Sequence, residues 1–278
     1  MGNLGLRDVQ ATLLMPLWAR AVESRRPNPI FHDPYSIELC DQVSFDFDQF
    51  VRNGVDTMGY CMRAAIVDGL VRDFLEHHPE GRVVELGVGL DVRHLRLDNG
   101  RAEWLQIDLQ DAIALRERLI PASQRRRVWS GSATDPAWMS LLDDEDDRPL
   151  MVTADAMFFF LDDASIRTLL REVAKRFPGA EFVFDAASPE YLWYCNLRHP
   201  LADSSLKWSL RSVAKIAAWS PEFRLRRYVG FGDSPSYDPF RARLPRLIRG
   251  LRTCLPPIRH AYKIMQWTLG TTQPVAAN

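Results

Sequence analysis

The sequence predicts an α/β protein: a doubly wound, mostly parallel sheet preceded by helices and carrying a helical cap insertion. Three observations lead there. Between residues 82 and 186, short apolar runs alternate with stretches of helical periodicity, as strand–helix–strand crossovers of a parallel sheet require. The first 80 residues instead space their apolar side chains three and four apart, which is the period of helices. From residue 187 the composition shifts to Trp, Tyr and Arg, with prolines at 189, 200, 221, 235 and 239, as expected of an insertion over the sheet.

Taken in order, VQATLLMPLWARAVES is a helix, and RRPNPIFHDPYS is a loop set by its prolines and Asp. MGYCMRAAIVDGLVRDFLEHH is a second helix, ended by Pro79. RVVEL (82–86) and EWLQID (103–108) are strands, and the helix DLQDAIALRERLI follows the second. RRVWSG is a third strand and RPLMVTAD (148–155) a fourth. The helix DDASIRTLLREVAKRF then leads to a fifth, GAEFVFDA (179–186). RLRRYVGF (224–231) and AYKIMQWTL (261–269) are the closing strands, and the tail TTQPVAAN is expected to fray. One integrated domain results: an N-terminal helical cap segment (1–80), a ligand-binding α/β core (81–186), a cap insertion (187–222), and closing strands and helix of the core (223–278).

Bulk properties exclude several classes. The 278 residues suit one α/β domain with insertions. A net charge of −1 gives no electrostatic footprint for nucleic acid or anionic membrane. No apolar stretch reaches about 18 residues, and the N-terminal apolar run is too short for a signal peptide, so a cytoplasmic protein is expected. Cys40, Cys61, Cys195 and Cys254 are scattered without a C-x-x-C pair. That spacing indicates buried reduced thiols, not a metal site or a disulfide framework.

The chemistry-bearing stretch is VVELGVGLDVRHLRLDNG, residues 83–100. Gly87 and Gly89 fall just past a strand, where a doubly wound sheet binds its ligands and where glycine lets the backbone approach them closely. A dinucleotide fingerprint would place a third glycine at position 92; this chain has Val92. That disfavours a pyrophosphate and favours a nucleoside ligand without phosphate, S-adenosylmethionine. Asp108 ends the next strand, 21 residues after Gly87, at the place where an acid accepts hydrogen bonds from ribose hydroxyls. Glu85, Gly87, Gly89 and Asp108, with the adjoining Leu109, form one expected nucleoside site.

VVELGVGLDVRHLRL resembles the LGAGLDTR signature of the leucine carboxyl methyltransferase family, in particular its tetracenomycin-type polyketide O-methyltransferase branch. The resemblance extends in order through TLLMPLWARAVESRRPNPIFHDPYS, CMRAAIVD, WLQIDLQDAIALRERLI, SGSATDPAW, TADAMFFFLDDASIRTLL and IRHAYKIMQWTLG. It implies a Rossmann-like, S-adenosylmethionine-dependent methyltransferase. It also implies roles. Gly87 and Gly89 pass beneath the amino-acid part of the cofactor. Arg63 pairs with its carboxylate, Asp108 holds the ribose, Ala133, Thr134 and Asp135 flank the adenine, and Asp155 lies near the amino group. The chain departs from the family pattern at Asp155 (Glu there), Ala156 (Gly) and Phe160 (Tyr).

For the other signature residues a structural role stands beside the functional one. Asp91 and Arg93 brace the turn, Phe158 to Phe160 divide between core and pocket wall, the run 124–127 caps a helix end in solvent, and His94 and His199 are polar surface groups. Acceptor-binding candidates are Trp18, Phe159, Tyr191, Tyr194 and Arg198, with Trp193, Trp208 and Trp219 nearby in sequence. Aromatic walls suit a flat or apolar small molecule. No acid–base dyad stands out, and an ionised carboxylate acceptor needs none. The expected activity is methyl transfer to a small-molecule acceptor at a carboxylate, with no nucleic-acid or membrane partner. Methylation of a protein C-terminus and a non-methylating, cofactor-binding role are the alternatives.

Overall fold

The computed structural model describes residues 8–52, 55, 57–142, 147–198, 206–230 and 260–271. The chain opens with helices α1 (Asp8–Ser24), α2 (Pro34–Gln42), α3 (Asp48–Arg52) and α4 (Thr57–His77). The core follows as β1 (Arg82–Leu86), the single turn α5 (Arg93–Arg96), β2 (Glu103–Asp108), α6 (Gln110–Leu119), β3 (Arg126–Ser130), β4 (Leu150–Ala154), α7 (Asp163–Arg176) and β5 (Ala180–Ala187). Helix α8 (Pro189–Arg198) and the short α9 (Ala214–Ala217) precede β6 (Arg224–Gly230) and β7 (Tyr262–Leu269). Every expected strand is present within a residue or two of its sequence bounds.

The seven strands form one sheet in the order β3-β2-β1-β4-β5-β7-β6. β1 to β5 pair in parallel, while β7 runs antiparallel to both β5 and β6. Alternation along the strands sorts the core. Val84, Leu105, Val152, Phe182 and Met265 face one side with Ile166, Leu169 and Val173 of α7. Val83, Trp104, Met151, Val183 and Ile264 face the other with Val67, Leu70 and Phe74 of α4. Because both faces are covered, the parallel strands are apolar nearly throughout. A third cluster holds α1, α2 and α4 together around Leu14, Leu17 and Met62.

The N-terminal helices reach the sheet through charge as well as apolar contact. Arg20 of α1 donates to Asp33 Oδ2 at 3.0 Å and to the carbonyl of Leu90 at 3.2 Å. Arg96 links Asp33 (2.8 Å), Asp68 of α4 (2.8 Å) and Asp91 (2.9 Å). All three arginines of this region, Arg20, Arg93 and Arg96, are buried with their carboxylates.

The structure revises several expectations. Trp18 is 7% exposed and packs on Phe50 with ring centroids 5.4 Å apart. It belongs to the helical core, because the apolar face of α1 turns inward. Trp208 likewise enters the main core edge-on to Phe158, its indole N–H donating to Asp163 at 2.8 Å. His94 is not a surface group: it is buried beside Trp104, Gln106 and Arg116. In the 124–127 run, Arg126 caps the end of α6 from a buried position, donating to the carbonyls of Ile120 and Pro121. Cys40 and Cys61 are buried and Cys195 half-buried, all as free thiols. His199, Cys254, the tail 272–278 and any helix between β6 and β7 lie outside the described residues, as does the side chain of Arg198. Among the described residues no helix is long and apolar enough to cross a membrane.

Candidate active site

β1 has β2 on one flank and β4 on the other, so the strand order reverses between β1 and β4. A doubly wound sheet opens a crevice at such a point, beyond the carboxyl ends of the strands. Two turns line it here: Gly87–Gly89 after β1, and Asp155–Ala156 after β4.

Gly87 and Gly89 have φ values of +64° and +51°, a region that side chains with a Cβ disfavour. A Cβ at Gly87 would lie 3.0 Å from Met157 Cγ, and one at Gly89 would lie 3.1 Å from Leu13 of α1. The turn is therefore roofed by α1 and the β4 loop. Asp108 locks it from the side: Oδ2 accepts the Gly89 N–H and Oδ1 the Leu109 N–H, each at 2.7 Å. Burial pushes the Asp108 carboxyl up, against the lowering effect of those two N–H donors. Leu109, next in the chain, is 58% exposed, an apolar face beside Asp108.

Glu85 and Arg93 sit behind the turn. Glu85 is buried, with Oε1 on Arg93 (3.1 Å) and Oε2 on Gln106 (2.7 Å). Both its oxygens are engaged within the protein, so it acts on the turn from behind. Arg93 also donates to Asp68 at 2.8 Å and to Asp155 at 2.6 Å. Burial would raise the Asp91 carboxyl, but Arg20, Arg96 and Arg93 outweigh it and hold the group well below the usual range.

Asp155 spends Oδ2 on Arg93, while Oδ1 is buried without a hydrogen-bond partner. A buried carboxylate oxygen lacking a donor is costly. It is an acceptor of the kind a ligand ammonium satisfies. Ala156 follows at φ +58°, a conformation that glycine adopts without strain. Its N–H is held by Asp185 Oδ1 at 2.8 Å. Arg63 of α4 stacks over Tyr60 and uses one nitrogen, Nη1, toward Tyr262 Oη (3.4 Å) and Asp185 Oδ2 (3.8 Å). Among the described residues its other guanidinium nitrogens have no protein partner. Burial raises the Asp185 carboxyl to about 6, in spite of Arg63.

Beside this clamp stands an aromatic wall. Phe159, 4% exposed, lies 5.9 Å from the ring of Tyr262, and Tyr191 meets Tyr262 edge-on at 6.0 Å. Tyr194 and Trp193 continue along α8, largely exposed, and with Pro189 and Glu190 line an open cavity of about 460 Å³. Phe158 is wholly core, whereas Phe160 faces outward. The expected adenine segment forms a tight turn. The Ala133 carbonyl accepts from Trp138 Nε1, Thr134 Oγ1 meets Ser132, and Asp135 caps the following 3₁₀ turn through Ala137 N–H. Sequence reasoning missed Asp185, Tyr262, Arg20, Asp68 and Arg96. Their only signal was a charged or phenolic residue at the edge of an apolar run.

Several known proteins are similar to this chain. Among solved structures, the fold is similar to a DUF574 family protein from Streptomyces avermitilis. That likeness has TM-score 0.60 and 11% identity, over 94% of this chain and 99% of that one. It is also similar to an S-adenosylmethionine-dependent methyltransferase from Anabaena variabilis (TM-score 0.50, 12% identity, 90% and 93% covered). What these likenesses share with the chain is the fold, a doubly wound sheet whose last strand runs antiparallel. Residues 13–174 match the family described as leucine carboxyl methyltransferase, and the chain belongs to that family. It is 29% identical to the tetracenomycin polyketide synthesis O-methyltransferase TcmP of Streptomyces glaucescens, over 96% of this chain and 98% of the relative. It is 30% identical to the S-adenosyl-L-methionine-dependent methyltransferase dpfgK of Gibberella zeae, over 66% and 68%. The protein is thus an S-adenosylmethionine-dependent methyltransferase, and S-adenosylmethionine is its cofactor.

Proposed function

We propose that the protein is an O-methyltransferase acting on a small, flat, largely apolar acceptor, at a carboxylate. The observation that carries this is the Phe159–Tyr191–Tyr262 wall beside the Asp155–Ala156 turn. It sets an aromatic surface next to the cofactor's amino-acid end. The polyketide-synthesis relative supports a polyketide-like acceptor.

In this reading Asp108 holds the ribose, with Leu109 and the 133–135 turn at the adenine. Gly87 and Gly89 run beneath the amino-acid chain, Asp155 accepts from its ammonium, and the free nitrogens of Arg63 take its carboxylate in a bidentate pair. The cofactor supplies an already activated methyl group. The protein therefore contributes alignment and exclusion of water more than proton transfer. Phe159 and Tyr191 orient the acceptor, and Tyr194 extends the surface outward. Trp18, packed on Phe50 in the helical core, is left out of that wall, and Arg198 stands as a sequence-based candidate for the acceptor's charge.

The test is incubation with S-adenosylmethionine and a panel of aromatic acids, phenols and carboxyl-terminal peptides, read by mass spectrometry. A gain of one methylene unit on an aromatic acid, reversed by mild alkali as an ester is, supports the proposal. An alkali-stable product on a phenol would replace the carboxylate with a hydroxyl acceptor. Methylation of the peptides alone would replace the small molecule with a protein C-terminus.

A further inference from the structure

Asp185 is 1% exposed at the end of β5 and touches three elements. Oδ1 accepts the Ala156 N–H of the β4 turn at 2.8 Å. Oδ2 accepts the Tyr262 hydroxyl of β7, and lies 3.8 Å from Arg63 Nη1 of α4. Tyr262 Oη in turn receives Arg63 Nη1 at 3.4 Å. One carboxylate therefore reaches both halves of the clamp, the cation on α4 and the turn that carries Asp155.

From this juxtaposition we infer that Asp185, through Tyr262, is a positioning residue that aims Arg63 and fixes the Asp155–Ala156 turn for the amino-acid end of the cofactor. The inference rests on the reading of Arg63 and Asp155 given above. Three features support it. Arg63 commits only Nη1 to the pair, leaving the rest of its fork for a carboxylate. Its long, flexible stem would otherwise sample several rotamers, and fixing one before binding lowers the entropic cost of the ion pair. Ala156 holds a left-handed conformation (φ +58°) that a residue with a Cβ adopts only when its surroundings impose it. The Asp185 bond to its N–H supplies that constraint.

The test compares two probes by calorimetric titration of the full chain: S-adenosylhomocysteine, and 5′-methylthioadenosine, which keeps the nucleoside but lacks the amino-acid end. Tyr262→Phe removes only the phenol link, and Asp185→Asn removes the charge. Both are expected to weaken S-adenosylhomocysteine binding tenfold or more while leaving 5′-methylthioadenosine within twofold. Combining Tyr262→Phe with Arg63→Ala should add little further loss, because both act through the same guanidinium. Should Asp185→Asn unfold, Tyr262→Phe alone carries the comparison. Unchanged affinity for S-adenosylhomocysteine, or equal weakening of both probes, overturns the inference. Arg63→Ala run alone separates the two levels. If it is selective for the amino-acid end while Tyr262→Phe is silent, only the role of Asp185 and Tyr262 falls. If Arg63→Ala is itself not selective, the assignment of Arg63 falls first and the inference falls with it.

Discussion

Arg93 donates to Asp155 at 2.6 Å, and the same guanidinium holds Asp68 at 2.8 Å and Glu85 at 3.1 Å. A residue four positions after Gly89 thus ties β1, β4 and α4 to one buried cation. Breaking a buried ion pair by removing one partner typically costs about 3–5 kcal/mol, because the other charges stay buried. Arg93→Met is expected to lower unfolding stability by at least about 3 kcal/mol, measured by urea denaturation. Arg93→Lys should recover only part of that, since one ammonium cannot span the three carboxylates. A loss under about 1 kcal/mol in Arg93→Met would show that the network is solvated in solution.

The nucleoside end is predicted to fail differently from the amino-acid end. Asp108 accepts backbone N–H groups of Gly89 and Leu109 with separate oxygens, each at 2.7 Å. An Asn at this position replaces one acceptor by a donor and leaves one N–H facing an NH₂. Asp108→Asn should therefore weaken S-adenosylhomocysteine and 5′-methylthioadenosine alike, by roughly tenfold or more, consistent with about 1–3 kcal/mol for a lost charge-assisted bond and a misplaced turn. Loss confined to S-adenosylhomocysteine would remove Asp108 from the ribose.

Ala156 stands at φ +58° where the family resemblance has glycine. The left-handed region costs a residue with a Cβ about 1–2 kcal/mol. Glycine relieves that strain but loses up to about 1 kcal/mol through the greater freedom of its unfolded chain. Ala156→Gly should come out stabilising by up to about 1 kcal/mol, seen as a rise in denaturation midpoint at unchanged slope. Gly87→Ala is the mirror experiment. Its φ of +64° and the 3.0 Å approach of Met157 Cγ both oppose a Cβ, so stability and cofactor affinity should fall together.

Much of this architecture was legible in the chain. The strands are mostly apolar runs closed by Gly, Pro or Asp, so β1 to β5 and the helices α6 and α7 are legible in the sequence, whereas the single turn α5 is not. The glycine turn and Asp108 were legible because both follow strands at a fixed spacing. What was not legible depends on long-range pairing. Asp185 and Tyr262 are 77 residues apart and Asp68 and Arg93 are 25 apart; no periodicity links them. Trp18 and Trp208 went to the core because an aromatic on an amphipathic segment does not reveal which face is covered. His94 reads as a surface group in the sequence because its cover, Trp104 and Gln106, comes from β2, on the far side of the Asp98–Gly100 turn.

Burial also makes His94 sensitive to pH. His94 Nδ1 lies 3.0 Å from Gln106 Nε2 and 3.5 Å from an Arg116 nitrogen, while Nε2 is buried without a partner. Burial, then Arg116 and Arg126, push its pKa down to about 3, with only Asp91 among its main influences acting the other way. The unfolded chain binds a proton at this site below about pH 6.5, whereas the fold does not. The stability contributed by neutral His94 is therefore complete above pH 6.5 and is lost progressively as pH falls toward 3. Asp185 opposes it, since its carboxyl, raised by burial to about 6, takes up a proton in the fold first and adds stability as pH falls from 6 toward its ordinary value. The two must be separated by a variant. His94→Asn keeps an acceptor for Gln106 but cannot titrate, and Asp185 is common to both proteins. At about 1.4 kcal/mol per pKa unit, wild type should lose roughly 2–3 kcal/mol relative to His94→Asn between pH 7 and 4.5. Parallel stability curves for the two proteins over that range would show that His94 gains solvent, and a proton, in the folded state.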